Sequence, residues 1–450
     1  MMKVRRLFFL ELCFLLAGSF AAAQQSNSIP AKDQEAAARK FVESLSTAAY
    51  EAACVQFDSS VRASLSAQKL KEIWTALNVQ SGAFKKIQGI RREDAKPYAI
   101  EFVGTEFEKM VLDLKIVLSD SSTIVGFFIL PHQEEHLYVP PVYVNEALYQ
   151  EKDVWVGSGQ WRLPGTLATP KGSGPFPALV LVHGSGPNDR DETIGPNKPF
   201  KDLALGLASK GIAVLRYEKR TKVYAARMGR SKDSITVKEE TIDDALAAVT
   251  LMQHTPGIDA RKVFVLGHSL GGMLVPRIGI ADSSIAGFIV LAGASRPLED
   301  LILEQMIYIA SLDDTITREE KEELQKLSQQ VLRVKDKSLS SQTNPTELPF
   351  GAPPGYWLDL RGYAPAVSAG SLNRPILVLQ GERDYQVTME DYHGWSVALA
   401  GKKNVQFTIY PKLNHLFIEG KGKSTPAEYQ AAGHVAQEVV NDIARWISCQ

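Results

Sequence analysis

Val263-Phe264-Val265-Leu266-Gly267-His268-Ser269-Leu270-Gly271-Gly272 is the stretch whose reading decides the fold. Four apolar residues predict a buried strand. Gly267-His268-Ser269-Leu270-Gly271 then matches G-x-S-x-G, and a helix-compatible segment begins at Gly272. A strand, a sharp turn and a helix form the context in which this motif exposes a nucleophile. The turn strains the serine backbone, and the flanking glycines let neighbouring chain pass without a clashing Cβ. Ser269 is therefore the candidate nucleophile.

Working outward, short apolar runs predict further strands at Ala178 to His183, Ile212 to Tyr217, Phe288 to Leu291, Ile376 to Leu379 and Val405 to Tyr410. Continuous runs of this kind suit strands covered on both faces. Asp153 to Val156 and Trp161 to Ala168 read as an opening hairpin. Phe200 to Lys210 and Glu239 to Gln253 have helical spacing between the strands. The alternation predicts a mostly parallel sheet of eight strands flanked by helices, with the nucleophile turn after the fifth. This is the α/β-hydrolase layout, an α/β fold class, and it occupies residues 142–450.

A serine hydroxyl needs a histidine base held by a carboxylate. In this layout the acid and the histidine follow the nucleophile, in loops after later strands. Asp384 lies just beyond the Ile376 run, in Gln380-Gly381-Glu382-Arg383-Asp384. His415 lies just beyond the Val405 run, in Pro411-Lys412-Leu413-Asn414-His415. Glu382 is the alternative acid, and Asp391 falls within a helix. Among other histidines, His393 sits in a helical stretch, His434 is placed in the C-terminal helix, and His268 is too near Ser269 to point back at it. The oxyanion needs two fixed N–H donors. Leu270, after the nucleophile, supplies one. The loop His183-Gly184-Ser185-Gly186-Pro187 supplies the other, from Ser185 or, failing that, Gly184. His183 is read as orienting this loop. Asn188, Asp189, Arg190 and Asp191 either shape the pocket or bond to one another.

Residues 297–365 interrupt the alternation. They hold an apolar helix (Leu301, Ile302, Met306, Ile309) and an amphipathic one opened by the capping box Thr317-Arg318-Glu319-Glu320. An aromatic-bearing stretch with Tyr356, Trp357 and Tyr363 follows. An insertion here lies over the carboxyl ends of the strands, where open α/β sheets bind ligands, so it reads as a cap.

The loop His183 to Asp191, the elbow Gly267 to Gly272 and the run Gln380 to Thr388 together resemble bacterial carboxylesterases of the EstD type. The resemblance implies an α/β-hydrolase that cleaves short-acyl carboxylic esters, often exported and carrying a small N-terminal accessory domain. Related hydrolases include peptidases, amidases and thioesterases, which form the alternative reading. A non-catalytic binding protein on this fold would require a broken triad, and all three members are present. No cofactor and no metal are implied, because a triad and an oxyanion hole suffice for acyl transfer. The expected partner is a small-molecule ester substrate.

Ahead of this domain, residues 33–130 read as a small α+β unit. Phe41, Leu45, Ala48 and Ala52, then Leu70, Ile73, Trp74 and Leu77, have helical spacing; Tyr98 to Val103, Lys109 to Val117 and Ile124 to Leu130 are strand-like. The order resembles a cystatin-like cone of the nuclear-transport-factor type. It is expected to pack on the catalytic domain or to form a homodimer. Residues 131–141 are a proline-bounded linker. Within it His132-Gln133-Glu134-Glu135-His136 matches an inverted zinc-protease signature, but the prolines leave room for barely two helical turns and no third ligand is apparent, so it reads as a solvated linker.

Residues 1–23 have the form of a signal peptide. Lys3, Arg5 and Arg6 precede an apolar stretch broken only by Glu11, and Ala21-Ala22-Ala23 suits cleavage before Gln24. The apolar stretch is too short for a permanent membrane span, so a periplasmic or secreted protein is expected. The whole chain has a net charge of −1, and cleavage makes it −3, which gives no footing for nucleic acid or an anionic membrane. Cys54 and Cys449 remain after cleavage, either paired or as separate thiols; two cysteines near opposite ends make no disulfide framework.

Overall fold

A computed structural model describes residues 31–95, 98–132, 137–228, 235–313 and 315–450. The chain divides into two compact units between residues 135 and 136. The signal-like segment and residues 133–136 of the inverted zinc signature lie outside the described residues. His132 itself bonds through Nδ1 to Asp113 Oδ1 at 2.7 Å.

The first unit packs the helices Ala31–Ser46, Tyr50–Val55, Ser59–Ser64 and Ala67–Ser81 against an antiparallel sheet. Its strands are β1 (Phe84–Ala95), β2 (Tyr98–Phe107), β3 (Val111–Leu118) and β4 (Ile124–Pro131), in that order across the sheet. The sequence predicts only the last three. In β1, register shifts between Phe84 and Lys86 and between Ile87 and Gly89 break the period of two that marks a strand. The single predicted helix across Phe41 to Ala52 is two helices, parted at Ala48 with φ 59°.

The second unit contains β5 (Tyr149–Val156), β6 (Leu163–Pro170), β7 (Phe176–Val182), β8 (Ala213–Tyr217), β9 (Ile258–His268), β10 (Gly287–Leu291), β11 (Ile376–Gly381) and β12 (Val405–Tyr410). They form one sheet in the order β12-β11-β10-β9-β7-β8-β6-β5. Pairs from β8 through β7 to β12 are parallel; β6 is antiparallel to both β5 and β8. This is the α/β-hydrolase fold.

Alternate residues serve opposite faces. Leu179, Leu181, Phe264, Leu266, Ile289 and Leu377 pack with Phe200 and Trp446 on one side. Val180, Val182, Val263, Val265, Val290 and Val378 pack with Met273 and Trp395 on the other. The chain moves from β7 to β8 on one side, then returns to β9 on the other. That reversal opens the crevice in which such sheets bind ligands. Parallel register sets Val182 opposite Gly267 and Leu291 opposite His268, so three strand ends converge on the turn at Ser269.

Cys54 is buried, Cys449 is exposed, and neither is in a disulfide. Among the described residues no helix is long and apolar enough to cross a membrane.

Candidate active site

Ser269 has φ 53° and ψ −117°, immediately before the helix Leu270–Ala281. A left-handed φ on a non-glycine residue costs on the order of 1–3 kcal/mol and persists only where the surroundings enforce it. They do so here. Its N–H donates to Leu291 O at 3.0 Å, binding the turn to β10. A Cβ on Gly267 would lie 2.2 Å from Gly271 O, and one on Gly271 would lie 2.3 Å from Val182 O. Only glycine fits at either place. Within residues 263–276, Ser269 alone is not buried.

Asp384 and His415 meet in the loops after β11 and β12. His415 Nδ1 lies 2.7 Å from Asp384 Oδ2, and both side chains are buried. The other carboxylate oxygen, Oδ1, accepts from the N–H groups of Gln386 at 2.8 Å and Val387 at 3.0 Å. Gln380 Nε2 donates to Asp384 Oδ2 at 3.3 Å and to Val387 O at 2.8 Å, tying strand end to loop. The His415 loop is closed by Asn414, whose Oδ1 accepts from the N–H groups of Leu416 and Ile418. Glu382 is exposed and takes no part in this arrangement. Ser269 Oγ makes no hydrogen bond to His415 among the described residues; contacts between nucleophile and base often tighten only with substrate bound.

His268 faces away from Ser269. Its Nδ1 lies 2.8 Å from Glu192 Oε2, and its Nε2 donates to His415 O at 2.9 Å. The His268 and His415 rings lie 4.7 Å apart. Burial opposes charge on both His268 and Glu192, but each stabilises the other, so the histidine is held above its ordinary pKa and the carboxyl below. The two side chains thus form a buried, mutually stabilised pair that supports the backbone of the His415 loop. Burial drives His183 the opposite way, to about 4. It is neutral, and its Nε2 donates to Asp189 O at 3.0 Å, within the loop it was expected to orient.

The two candidate oxyanion donors after β7 are not equivalent. Gly184 N–H donates to Glu192 Oε1 at 2.6 Å, so it is already committed and drops out as a donor. Ser185 N–H has no acceptor among the described residues. Leu270, the first residue of its helix, has an N–H with no intrahelical partner.

Asn188 to Asp191 bond within the fold rather than to the cavity. Asn188 Nδ2 donates to Gly184 O and Ser185 O, and Asp189 accepts from the N–H groups of Asp191 and Thr193. Arg190 reaches Glu218, Asp153 and Thr166, while Asp191 pairs with Lys198 and Arg216. His434 precedes the last helix, Gln437–Ser448, and bonds Asp202, correcting its predicted placement inside that helix. Asp391 is committed to Arg296 and Ser295.

Ser269 and Ser185 open into a narrow cavity. The insertion between β10 and β11 walls it with Leu298, Leu301, Ile302 and Gln305, one face of the helix Leu298–Ala310, and with Tyr356. Leu270, Met273, Ala294, Gln386 and Val387 complete the wall, and no charged side chain is among the described lining residues. Gln305 Nε2 donates to Gln386 O at 2.8 Å, fastening this helix to the acid loop. Thr317 and Glu320 form the expected capping box on the insertion's second helix, Arg318–Lys335.

Glu192 was missed by sequence reasoning although it directly follows the polar cluster singled out there. Lys219, buried two residues past β8, was also missed; its signal was a charged residue at the carboxyl end of a central strand.

A family model described as serine aminopeptidase, S33, matches residues 178–421, and one described as a protein of unknown function, DUF3887, matches residues 38–127. The chain is 41% identical over 415 residues to Esterase EstD of Thermotoga maritima, covering 92% of this chain and 95% of that protein. Among solved structures, a puromycin-hydrolyzing peptidase of Mycobacterium tuberculosis aligns with TM-score 0.45 and 15% identity, over 81% of this chain and 49% of that one. Est1E from Butyrivibrio proteoclasticus aligns with TM-score 0.42 and 14% identity, over 66% of this chain and 99% of that one.

Proposed function

Because the chain belongs to the family of Esterase EstD, we propose that it hydrolyses carboxylic esters of short acyl chains through Ser269, His415 and Asp384. Ser269 Oγ attacks the ester carbonyl carbon while its proton passes to His415 Nε2, and Asp384 stabilises the imidazolium. The N–H groups of Leu270 and Ser185 receive the oxyanion. Collapse breaks the bond to the alkoxy oxygen, which takes the proton from His415 and leaves as the alcohol. Water then attacks the acyl-enzyme, His415 accepts its proton and returns it to Ser269 Oγ, and the carboxylic acid departs.

The observation that carries the ester reading is the wall of the cavity beside Ser269. Leu298, Leu301, Ile302, Met273 and Val387 suit an aliphatic acyl chain. A peptidase that acts at a chain terminus needs a charged anchor for it, and the described lining residues offer none. The test sets p-nitrophenyl esters of graded chain length beside aminoacyl p-nitroanilides. Acetyl to hexanoyl esters should be turned over fastest, and Ser269→Ala should be inactive. Faster cleavage of the anilides would replace the esterase by a peptidase or amidase.

Export through residues 1–23 is part of the same reading, checked by N-terminal sequencing of the mature protein, which should begin at Gln24. A homodimer formed through the accessory unit is checked by sedimentation of the chain with and without residues 24–130.

A further inference from the structure

Lys219 is a buried lysine, 2% exposed, at the carboxyl end of the sheet. Its Nζ forms an ion pair with Glu240 Oε1 at 2.8 Å and donates to Gly184 O at 2.7 Å. Glu240 is itself buried, in the π-wound segment Lys238–Ile242 that precedes the helix Asp243–Gln253. Such π turns recur at functional sites because they re-aim a side chain. Glu240 also lies against the cavity wall: burial and the Glu240 carboxylate together hold the Tyr356 phenol well above its ordinary pKa.

The carbonyl that Lys219 touches belongs to the same peptide unit as the N–H of Ser185. In a planar trans peptide the two point in opposite directions. A cation fixed on Gly184 O therefore aims Ser185 N–H away from Lys219, and Ser185 lines the cavity beside Ser269. A charge-assisted bond to the carbonyl also polarises the peptide, making its N–H a stronger donor. The remaining freedom of Gly184 is removed by Glu192, which accepts its N–H at 2.6 Å.

We propose that Lys219, held by Glu240, is a positioning residue for the oxyanion hole, orienting and polarising the Gly184–Ser185 peptide so that Ser185 N–H is pre-aimed at the developing oxyanion. The role rests on the esterase reading above. It never touches substrate.

Lys219→Met removes the cation while keeping an unbranched chain. A thionoester, whose developing thiolate is a poor hydrogen-bond acceptor, distinguishes positioning of a donor from loss of structure. Removing an oxyanion donor outright costs about 10²–10³ in kcat, so Lys219→Met should lower kcat on p-nitrophenyl butyrate by about 10–100-fold, and on the thionobutyrate by no more than about threefold. KM should change little. Should Lys219→Met not fold, judged by circular dichroism, the variant Lys219→Met with Glu240→Gln leaves no buried charge unpaired and makes the same comparison. Equal losses on both substrates, or no loss on either, overturn the positioning role. Labelling of the wild-type protein by a fluorophosphonate, mapped to Ser269, tests the esterase reading separately. Labelling at Ser269 with equal losses leaves that reading standing and removes Lys219 from it; activity surviving in Ser269→Ala overturns both.

Discussion

Replacing Asp384 by Asn changes one atom and should disable the base without unfolding the protein. Oδ1 of the carboxylate takes two backbone N–H groups, from Gln386 and Val387. An asparagine carbonyl keeps both bonds, so the loop retains its shape. The other position, 2.7 Å from His415 Nδ1, becomes an NH₂ donor. It can bond His415 only when Nδ1 is the acceptor, which places the imidazole proton on Nε2. A histidine in that tautomer cannot take the proton of Ser269. The same NH₂ now faces the Gln380 amide, which donated to the carboxylate, and that conflict adds a small stability cost. The corresponding change in a serine triad lowers kcat by roughly 10⁴-fold, about 5.4 kcal/mol of transition-state stabilisation. The assay is steady-state hydrolysis of p-nitrophenyl butyrate, with thermal melting as the control. Glu382→Gln, at an exposed position, should stay close to wild type. If Asp384→Asn kept kcat within about tenfold, or if Glu382→Gln were the more damaging at matched stability, the tautomer argument would be wrong.

Three further outcomes are expected. Gly184→Ala places a Cβ 3.1 Å from Ser269 Cβ and 3.3 Å from Glu192 Oε1; it should lower kcat with little change in melting temperature, and unchanged kinetics would show that Gly184 does not confine the nucleophile. Leu301→Ala lengthens the apolar cavity, so the ratio of octanoyl to butyryl kcat/KM should rise about tenfold or more, at the low end of what a hydrophobic pocket discriminates per methylene, whereas a fall would place the acyl chain elsewhere. The His268–Glu192 pair should give stability a pH dependence: the histidine is raised above its ordinary 6.5, so its contribution is complete below that value and lost as pH rises through the folded-state pKa. Glu192 is lowered from 4.5, so its contribution is present above that value and lost as pH falls through the folded-state pKa. Urea midpoints across this range should therefore fall on the alkaline side, and Glu192→Gln should flatten that limb; an unchanged slope in the variant would refute the pair.

The residues that announced themselves in the sequence do so because each lies where an apolar run ends in a turn. Val263 to Leu266 before Ser269, Ile376 to Leu379 before Asp384, and Val405 to Tyr410 before His415 are strands, and strand ends in a parallel sheet share one edge. Backbone commitments are not written in residue types. Nothing in Gly184 or Ser185 tells which amide is already bound, and the carboxylate of Glu192 decides it from eight residues away. Lys219 was hidden for another reason. Arg216-Tyr217-Glu218-Lys219-Arg220 has the composition of a solvated strand end, and only the position of β8 beside β7 inside the sheet buries it. β1 escaped because its bulges erase alternation, and Lys85 and Lys86 in it are exposed.

Buried ions near a nucleophile need a physical reason, because well-packed apolar residues of similar volume often serve stability as well or better. The loop after β7 supplies one. It has no regular hydrogen-bond ladder, yet a donor in it must hold its direction to within roughly 10–20° to be useful at the transition state. Gly184 has no side chain for packing to hold, and an added Cβ would lie 3.1 Å from Ser269 Cβ and 3.3 Å from Glu192 Oε1. Orientation must come through its two backbone dipoles, and each is held by a charge: the N–H by Glu192 and the carbonyl by Lys219. Each has a buried partner, His268 for Glu192 and Glu240 for Lys219. The arrangement fixes Gly184 through the two peptides that flank it, without placing a free charge against an apolar acyl chain. His268 also holds the His415 backbone, so the same network joins the proposed oxyanion donor to the proposed base.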